Sequence, residues 1–331
     1  MANLRAGLIG LGMMGRHHCR VLGGLEGVDL VAVVDPGGDQ HGVAGGLPLL
    51  KNVQELLAVG VDYCMVAVPT IYHEPVGLAL AEAGVHAMIE KPLAQDTPSA
   101  RRLADAFAAK GLVGAVGHIE RYNPALQSAR ARLEAGELGA VYQVTTRRQG
   151  PFPARIADVG VVKDLATHDI DLTAWVTQQA FTSVGARTAT KSGREFEDLV
   201  AVTGLLADGT VTNHLVNWLS PLKERVTVIT GERGTFVANT LTADLTFYAN
   251  GLVQTTWDDI AQFRGVSEGD VVRFAIPKPE PLRVEHEQFR DAVLGKDADI
   301  VTLEQGMTTV AVAEAVLESA RTGLTVNLPR A

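Results

Sequence analysis

Cysteine is scarce in this chain of 331 residues, which contains only Cys19 and Cys64. Both fall in apolar surroundings, so we interpret them as small buried side chains and expect no disulfide framework. There is no run of about 18 apolar residues, the length that a membrane-spanning helix needs. The N-terminal apolar run is short, rich in glycine and without a cleavage site, unlike a signal peptide. These absences favour a cytoplasmic location without membrane contact.

Clusters of positive charge are also missing. The formal net charge is −9, and the longest basic clusters are the pairs Arg101-Arg102 and Arg147-Arg148. A nucleic-acid footprint needs a denser Lys/Arg patch, so we expect no nucleic-acid partner. The nine histidines show no His-x-x-x-His spacing, and neither cysteine is placed to join His168 at a metal. We therefore expect no zinc site.

A dinucleotide-binding fingerprint is present near the N-terminus. The sequence Gly-Leu-Gly-Met-Met-Gly occupies residues 10–15, between a predicted buried strand at 4–9 and a predicted helix at 14–22. Strand, glycine turn and helix form the context that this fingerprint requires. A fingerprint of this kind is weak evidence alone, because the chain contains 34 glycines.

The residues of this loop have separate expected roles. Gly10 permits the tight turn, Gly12 lets the backbone approach a pyrophosphate, and Gly15 lets helix and strand pack closely. The backbone N–H groups from Gly12 through Met13 and Met14 would hold the pyrophosphate at the N-terminus of the helix.

An acidic residue after the second predicted strand indicates the cofactor. The strand at 30–34 is followed by Asp35, twenty positions after Gly15. A carboxylate there hydrogen-bonds the adenosine ribose and repels a 2′-phosphate. Because no Arg or Lys occurs within 36–40, the sequence predicts NAD over NADP. The segment 36–48 contains five glycines and predicts a short irregular connection instead of a crossover helix.

A lysine lies at the end of the fourth predicted strand. The predicted strand at 63–68 leads into Pro69-Thr70 and then into a predicted helix at about 75–83, and the predicted strand at 85–89 leads into Glu90-Lys91-Pro92. Ligands of open α/β sheets bind beyond the carboxyl ends of the strands. We therefore expect Lys91 to point toward the crevice that holds the nicotinamide. His73 is a candidate for contact with the nicotinamide ribose.

The chain length suits two domains. With a fifth strand at 112–116, residues 1–122 predict a Rossmann domain with a doubly wound parallel sheet. Residues 123–331 predict an α/β domain with a largely antiparallel sheet, whose last helix is a candidate for packing back on the first domain. Its predicted helices lie at 124–135, 160–176, 283–294 and 303–321, and its predicted strands at 141–148, 182–190, 199–206, 210–218, 225–230 and 244–249.

An Asp/His pair occurs on the predicted helix 160–176. Asp164 and His168 are four residues apart, and Asp171 is three further on, so all three share a helix face. A carboxylate beside a histidine orients the ring and stabilises its charged form. Such a pair suits removal of a hydroxyl proton while hydride leaves the same carbon. Lys91 would stabilise the charge that develops on the oxygen.

Other histidines are expected to be structural. We interpret His17 and His18 as residues on the surface of the first helix, and His86 as a structural residue at the start of a strand. An isolated Asp/His pair is often only a surface hydrogen bond. The ordered combination of fingerprint, Lys91 and the Asp164/His168 pair favours catalysis.

These residues resemble the Gfo/Idh/MocA oxidoreductase family over essentially the whole chain. The resemblance implies a Rossmann domain followed by a domain with an open, mostly antiparallel sheet that forms dimer or tetramer contacts. It also implies NAD(P)-dependent chemistry at a sugar or polyol carbon. Lys91 and His168 would be the catalytic pair with Asp164 as partner, and members differ in whether lysine or histidine is the base. The family motifs that place residues near the cofactor are Pro69, Thr70, His73, Glu90 and Lys91.

Four segments are similar to a narrower group, the UDP-N-acetylglucosamine 3-dehydrogenases, which oxidise the sugar C3 hydroxyl to a ketone. They are 117–124, 155–162, 164–171 and 217–223. This resemblance implies that Arg121, Arg155, His168 and Lys223 contact the substrate, with Arg155 and Lys223 on the diphosphate, because cationic side chains suit phosphate oxygens.

Two alternatives stay open at this point. One is a dehydrogenase of inositol or a free sugar, which would need no diphosphate contacts. The other is a non-catalytic NAD-binding sensor, in which the lysine or the histidine could be lost without penalty, whereas an enzyme needs Lys91, Asp164 and His168. All three are present, which favours an enzyme.

Overall fold

The computed structural model describes residues 2–153, 159–251 and 267–329. The chain divides into two compact units. The first comprises Met1–Ile119 and Glu280–Glu314, and the second comprises Glu120–Pro279 and Ala315–Ala331. The sequence predicts a boundary after residue 122, with the last helix as a candidate for packing back on the first domain, and the structure assigns Glu280–Glu314 to the first unit. The reason is burial, because Phe289 lies in the core of the first unit, with its ring centroid 5.4 Å from that of Tyr63.

The first unit contains a six-stranded sheet in which every neighbouring pair is parallel. Its order is β3-β2-β1-β4-β5-β6, the doubly wound order with a switch point between β1 and β4. The strands are short, apolar and buried, as expected where helices cover both faces. This confirms the predicted Rossmann sheet. Its strands are β1 Leu4–Ile9, β2 Val28–Val34, β3 Leu49–Leu50, β4 Tyr63–Val66, β5 His86–Glu90 and β6 Gly114–Gly117.

The register aligns the carboxyl ends of the central strands. Ile9 at the end of β1 lies opposite Val34 of β2 and Val66 of β4. Glu90 at the end of β5 lies opposite Gly117 of β6. The loops after β1, β2, β4 and β5 therefore leave the sheet at one edge.

The described helices include two that the sequence patterns missed. Asn52 begins one of them, where its side chain accepts a hydrogen bond from the Glu55 N–H at 2.9 Å. Asp96 begins the other and accepts from the Ser99 N–H at 2.8 Å; such caps satisfy the first free N–H groups of a helix. The helices are α1 Met13–Leu22, α2 Val53–Val59, α3 His73–Glu82, α4 Thr97–Ala109, α5 Pro124–Glu134, α6 Thr167–Thr177, α7 Pro281–Val293 and α8 Leu303–Thr322.

The segment 36–48 has no helix or strand, as the sequence predicts. The carboxylate of Asp39 organises part of it by accepting hydrogen bonds from the N–H groups of Ala44 and Val43. These backbone bonds hold the pKa of Asp39 below its usual value. The crossover helix α2 follows only after β3.

The second unit contains a nine-stranded sheet with the order β14-β13-β12-β11-β7-β10-β9-β8-β15. All neighbouring pairs are antiparallel except β7 and β10, which confirms a mostly antiparallel α/β domain. Its strands are β7 Val141–Pro151, β8 Phe181–Ala189, β9 Leu199–Leu206, β10 Val211–Asn217, β11 Leu219–Gly231, β12 Gly234–Asn239, β13 Asp244–Gly251, β14 Ser267–Arg273 and β15 Val326–Asn327.

One face of this sheet is covered by helices. Leu126 of α5 and Leu172 of α6 pack in one core with Ile229 and Phe236 of the sheet. Within the described residues of the whole chain, no helix is long and apolar enough to cross a membrane.

Candidate active site

The glycine loop of the first unit joins β1 to α1 with little room for side chains. Gly10 has a φ of 96°, and a Cβ added there would lie 2.5 Å from the Ala67 carbonyl oxygen. A Cβ at Gly15 would lie 2.0 Å from the Gly10 carbonyl oxygen. At Gly12, by contrast, an added Cβ meets nothing within 4 Å. Any side chain at Gly10 or Gly15 would therefore collide with the backbone, whereas the space at Gly12 is open. A ligand can approach the helix N-terminus at Gly12.

Asp35 connects the ends of β1 and β2. Its Oδ2 accepts a hydrogen bond from the Leu11 N–H at 2.8 Å, and its Oδ1 accepts from the Gly37 N–H at 2.8 Å. An ionised carboxylate can accept about four hydrogen bonds. Asp35 therefore organises the loop and still has acceptor capacity for ribose hydroxyls.

A cavity of about 740 Å³ lies at this edge of the sheet. It is large enough for a sizeable part of a nucleotide cofactor. Asp35, Gly12 and Pro69 contribute to its lining, and so do His41 and Lys51. The prediction of NAD over NADP depends partly on the absence of a cation within 36–40. In the folded chain, however, Lys51, which follows β3, lines the same cavity as Asp35.

Lys91 follows β5 in a turn whose backbone is held by Glu90 and His73. The Glu90 Oε2 accepts a hydrogen bond from the Lys91 N–H at 3.0 Å. The His73 ring places Nδ1 at 2.9 Å from the Pro92 oxygen and Nε2 at 3.0 Å from the Val68 oxygen. The Lys91 side chain is half-buried, at the same sheet edge as the glycine loop.

His73 has a different environment from the one expected of a ribose contact. Its side chain is buried, and both ring nitrogens face backbone oxygens inside the first unit. Burial lowers its pKa. A hydrogen bond from His73 to a ribose would require one of these contacts to break, so the structure favours a supporting role under Lys91 and Pro92.

His18 is not on the helix surface, contrary to the sequence prediction. It is fully buried, with Nε2 at 2.9 Å from Glu90 Oε1 and Nδ1 at 2.8 Å from His286 Nε2. No pattern in α1 indicates this, because both partners are distant in sequence. His86 is structural as predicted, since its Nδ1 accepts from the Val113 N–H at 2.8 Å.

In the second unit, Asp164 and His168 lie on two different kinds of helix. Residues Val162–Ala166 form a π-helical turn, and α6 begins at Thr167. The sequence predicts one continuous α-helix over 160–176, which is wrong for its first turn. A four-residue spacing is compatible with either form, and π-helical turns often occur at functional sites. Asp164 is buried and His168 is half-buried.

Ion pairs made by two buried arginines, Arg121 and Arg148, hold the region around His168. Asp171 accepts from Arg121 Nε at 2.8 Å and Nη2 at 2.7 Å, and Asp169 accepts from Arg148 Nε at 2.8 Å. The Arg148 Nη1 also donates to Glu120 Oε1 at 2.8 Å. Burial raises the pKa of Asp169, although Arg148 opposes this shift.

Arg121 therefore has an internal partner. Its side chain is buried and bound bidentately to Asp171, which favours a structural role over the predicted substrate contact. Lys223 of β11 is exposed and remains a candidate for substrate contact. Arg155 lies outside the described residues.

Arg225 is a cation that the sequence patterns missed. Its Nη1 donates to the Gln149 and Glu224 carbonyl oxygens, both at 2.8 Å. Burial, followed by the nearby charge of Arg148, lowers its pKa to about 10.

Within 2–153, 159–251 and 267–329, no group of three or more His, Cys, Asp or Glu side chains is arranged to hold a metal ion.

Comparisons with known proteins match both units. Residues 4–118 match the family described as "Oxidoreductase family, NAD-binding Rossmann fold", and residues 126–237 match the GFO/IDH/MocA C-terminal domain. A UDP-N-acetylglucosamine 3-dehydrogenase from Acidithiobacillus ferrooxidans is 34% identical over 216 residues, which are 64% of this chain and 66% of that protein. A scyllo-inositol 2-dehydrogenase (NAD(+)) from Bacillus subtilis is 30% identical over 191 residues, 55% of this chain and 56% of that protein.

The aligned sequence spans less than two thirds of the length of these curated relatives. The structural similarity is more extensive. A solved structure of UDP-N-acetylglucosamine 3-dehydrogenase from Acidithiobacillus ferrooxidans has a TM-score of 0.83 and 27% identity, and the match covers 97% of this chain and 99% of that one.

Proposed function

Because this chain belongs to the Gfo/Idh/MocA oxidoreductase family, we propose that it is an NAD-dependent dehydrogenase that oxidises a hydroxyl group of a nucleotide sugar. The observation that carries the proposal is the position of Lys91. It follows β5 at the sheet edge where the glycine loop and Asp35 form the proposed dinucleotide cradle. A cation there lies where the reacting end of a dinucleotide is expected in this fold.

The cradle of the first unit suits NAD. The space at Gly12 is open, and helix geometry gives the N–H groups at the start of α1, around Met13 and Met14, no intrahelical partner, so they would bind the pyrophosphate. The remaining acceptor capacity of Asp35 would bind the adenosine ribose. Pro69 and Thr70, in the segment that follows β4, would lie along the cofactor.

The chemistry is assigned to three side chains. When bound, NAD supplies the hydride acceptor. His168, oriented by Asp164, takes the hydroxyl proton of the substrate, and Lys91 stabilises the same oxygen as negative charge develops on it. The pairing of Lys91 in the first unit with His168 in the second is part of this proposal. The opposite assignment, with Lys91 as the base, uses the same residues.

The choice of a nucleotide sugar is supported by the 34% identical relative and by Lys223, an exposed cation on β11. Arg155 is the second proposed diphosphate contact. The inositol dehydrogenase relative makes a free polyol the main competing substrate. A polyol has no diphosphate and gains nothing from either cation.

A dehydrogenase assay separates these substrates. Purified protein with NAD is tested on UDP-N-acetylglucosamine, other UDP-sugars, myo-inositol and free hexoses, and NADH absorbance is followed. We expect turnover on a UDP-sugar, and a raised KM for it in Arg155→Ala and Lys223→Ala. Turnover on inositol alone would remove the diphosphate contacts from the proposal. NADH binding without turnover on any compound would favour the sensor alternative.

Cofactor preference is predicted to depend on Asp35 more than on Lys51. We expect Asp35→Ser to reduce NADH affinity about tenfold, because a hydrogen bond to a charged group contributes about 1.5–3 kcal/mol. Fluorescence titration with NADH and NADPH measures this. Lys51→Ala is the matched control, since it should leave NADH affinity unchanged. If the wild-type protein binds NADPH more tightly than NADH, and Lys51→Ala abolishes this preference, the cofactor assignment changes from NAD to NADP.

The open face of the nine-stranded sheet is proposed to bind a second copy of the chain. Leu205 and Val211 are direct neighbours across β9 and β10 and are 41% and 46% exposed, and Leu215 is 37% exposed. Exposed apolar side chains on adjacent strands are typical of interfaces, and the sheet commonly forms oligomer contacts in the family that the sequence resembles.

We expect the double variant Leu205→Glu/Leu215→Glu to lower the molecular mass in solution, because carboxylates would be desolvated at the interface. Size-exclusion chromatography with light scattering measures the mass. Leu294→Glu is the control, since Leu294 is equally exposed, at 42%, but lies after α7. A wild-type monomer, or an unchanged mass in the double variant, would rule out this interface.

A further inference from the structure

A chain of buried hydrogen bonds runs behind Lys91. From α7, His286 Nε2 lies 2.8 Å from His18 Nδ1 of α1, and His18 Nε2 lies 2.9 Å from Glu90 Oε1 at the end of β5. The other oxygen of Glu90 accepts from the Lys91 N–H. Both histidines are fully buried and Glu90 is 7% exposed. Two buried histidines and a carboxylate are costly in a core, and none of them takes part in the proposed chemistry.

The direction of these hydrogen bonds follows from the charge of Glu90. Burial alone would raise the pKa of Glu90, but the hydrogen bond and charge of His18, together with the charge of Lys91, outweigh it and lower the pKa. An ionised carboxylate only accepts hydrogen bonds. His18 Nε2 must therefore carry a proton, whether the His18 ring is neutral or charged.

The contact with His286 fixes the orientation of the His18 ring. The pKa of His286 lies well below the usual value, because of burial and the nearby His18, so His286 is neutral near pH 7. If the His18 ring is neutral, His286 Nε2 donates to His18 Nδ1; if it is charged, the donor and acceptor exchange. In both cases Nδ1 of His18 is engaged and Nε2 remains directed at Glu90.

Glu285 is a second buried carboxyl close to this chain but outside it. Among the described residues, neither of its oxygens has a hydrogen-bond partner. Burial and the charge of Glu90 raise its pKa well above the usual value, so Glu285 holds its proton more strongly than Glu90 does. Glu90 is therefore the ionised member of the two.

We propose that His18 and His286 are positioning residues, which keep Glu90 ionised and so fix the backbone and the electrostatic environment of Lys91. This inference rests on the proposed function, because Lys91 is its catalytic end. The hydrogen bond from His18 Nε2 sets the protonation state and the orientation of the Glu90 carboxylate. In a catalytic triad, the buried carboxylate sets the tautomer and the orientation of the histidine in the same way. The groups that act electrostatically on Glu90 or on its partners are His18 from α1, His73 from α3, Lys91 after β5, and Glu285 and His286 from α7.

The decisive experiment is a pH profile of kcat for matched variants. We expect His18→Leu to reduce kcat near pH 7 about 100-fold, the effect typical of a small misplacement in an active site. Because the pKa of Glu90 would rise without its donor, the acid limb of the profile should move to higher pH. His18→Gln can still donate a hydrogen bond from its amide. It should therefore restore part of kcat and move the acid limb part of the way back to its wild-type pH.

Two isosteric variants give the control. Glu90→Gln removes an ionised carboxylate and should lower kcat at all pH values, whereas Glu285→Gln replaces the carboxyl that holds its proton more strongly and should leave the profile unchanged. An acid limb in His18→Leu that coincides with the wild type, or equal effects of Glu90→Gln and Glu285→Gln, would overturn the proposal.

A measurement without substrate keeps this test independent of turnover. Nitrogen-15 NMR of histidine-labelled, cofactor-free wild-type protein should show a protonated His18 Nε2 and a neutral His286 at pH 7. An unprotonated His18 Nε2 would contradict the inference even if no variant folds. Absence of turnover on every substrate would instead contradict the proposed function and leave the NMR result standing.

Discussion

Replacing Lys91 by alanine is expected to reduce kcat about 100- to 10,000-fold, the range that a positioned acid–base group contributes. The same loss is expected for His168→Ala. Both side chains are only half-buried, so neither variant should remove much packing energy. Steady-state kinetics on the substrate found in the assay panel measures the effect.

Lys91→Arg is a useful companion variant. It keeps the charge but not the compact ammonium that can lose a proton. If Lys91 only stabilises the oxygen, Lys91→Arg should retain part of the activity, and if Lys91 is the base, it should not. Tm and NADH affinity serve as controls for folding and for the cofactor site. Turnover near the wild-type rate in both alanine variants would remove Lys91 and His168 from the mechanism.

The largest loss of stability is expected from Arg121→Met in the second unit. The variant takes two charge-assisted hydrogen bonds from the Asp171 carboxylate, which is almost fully buried. Breaking one side of a buried ion pair typically costs about 3–5 kcal/mol. Urea denaturation, monitored by circular dichroism, should show a lower midpoint with a similar slope.

The double variant Arg121→Met/Asp171→Leu distinguishes a structural pair from a substrate contact. Apolar replacement of both partners is often close to neutral, so stability should largely return. If Arg121 only held the fold, turnover should return with it. Restored stability without restored substrate affinity would instead give Arg121 the substrate role that the narrower family resemblance implies.

Sequence patterns were sufficient where the signal is local. The strand Leu199–Leu206 was predicted with both ends correct, because its run rich in Leu and Val is followed by the turn signal Asp208-Gly209. The glycine loop was placed correctly for the same reason. Helix α4 was missed although Asp96, with a proline just after it, is a recognisable helix start. Strand β3 has only two residues, too few for any periodic pattern.

The site residues that were missed are those whose partners are distant in sequence. His18 and Glu90 are 72 positions apart, and His18 and His286 are 268 apart, so a single sequence gives no sign of their contact. A histidine next to a glycine loop is then indistinguishable from a surface residue. Lys51 lies well beyond the residues that directly follow Asp35, and only the pairing of β3 with β2 brings it to the same cavity.

The parallel pairing of β7 with β10 affects the order in which parts of the second unit fold. Thr146 and His214, joined across this pair at 2.9 Å, are 68 positions apart. Closing such a long loop is entropically costly, and sheets built on distant pairings fold slowly. Asp164 and His168 belong to the segment enclosed by this pairing. We therefore expect the segment that holds Asp164 and His168, the proposed proton-accepting pair, to become ordered late, when the middle of the sheet closes.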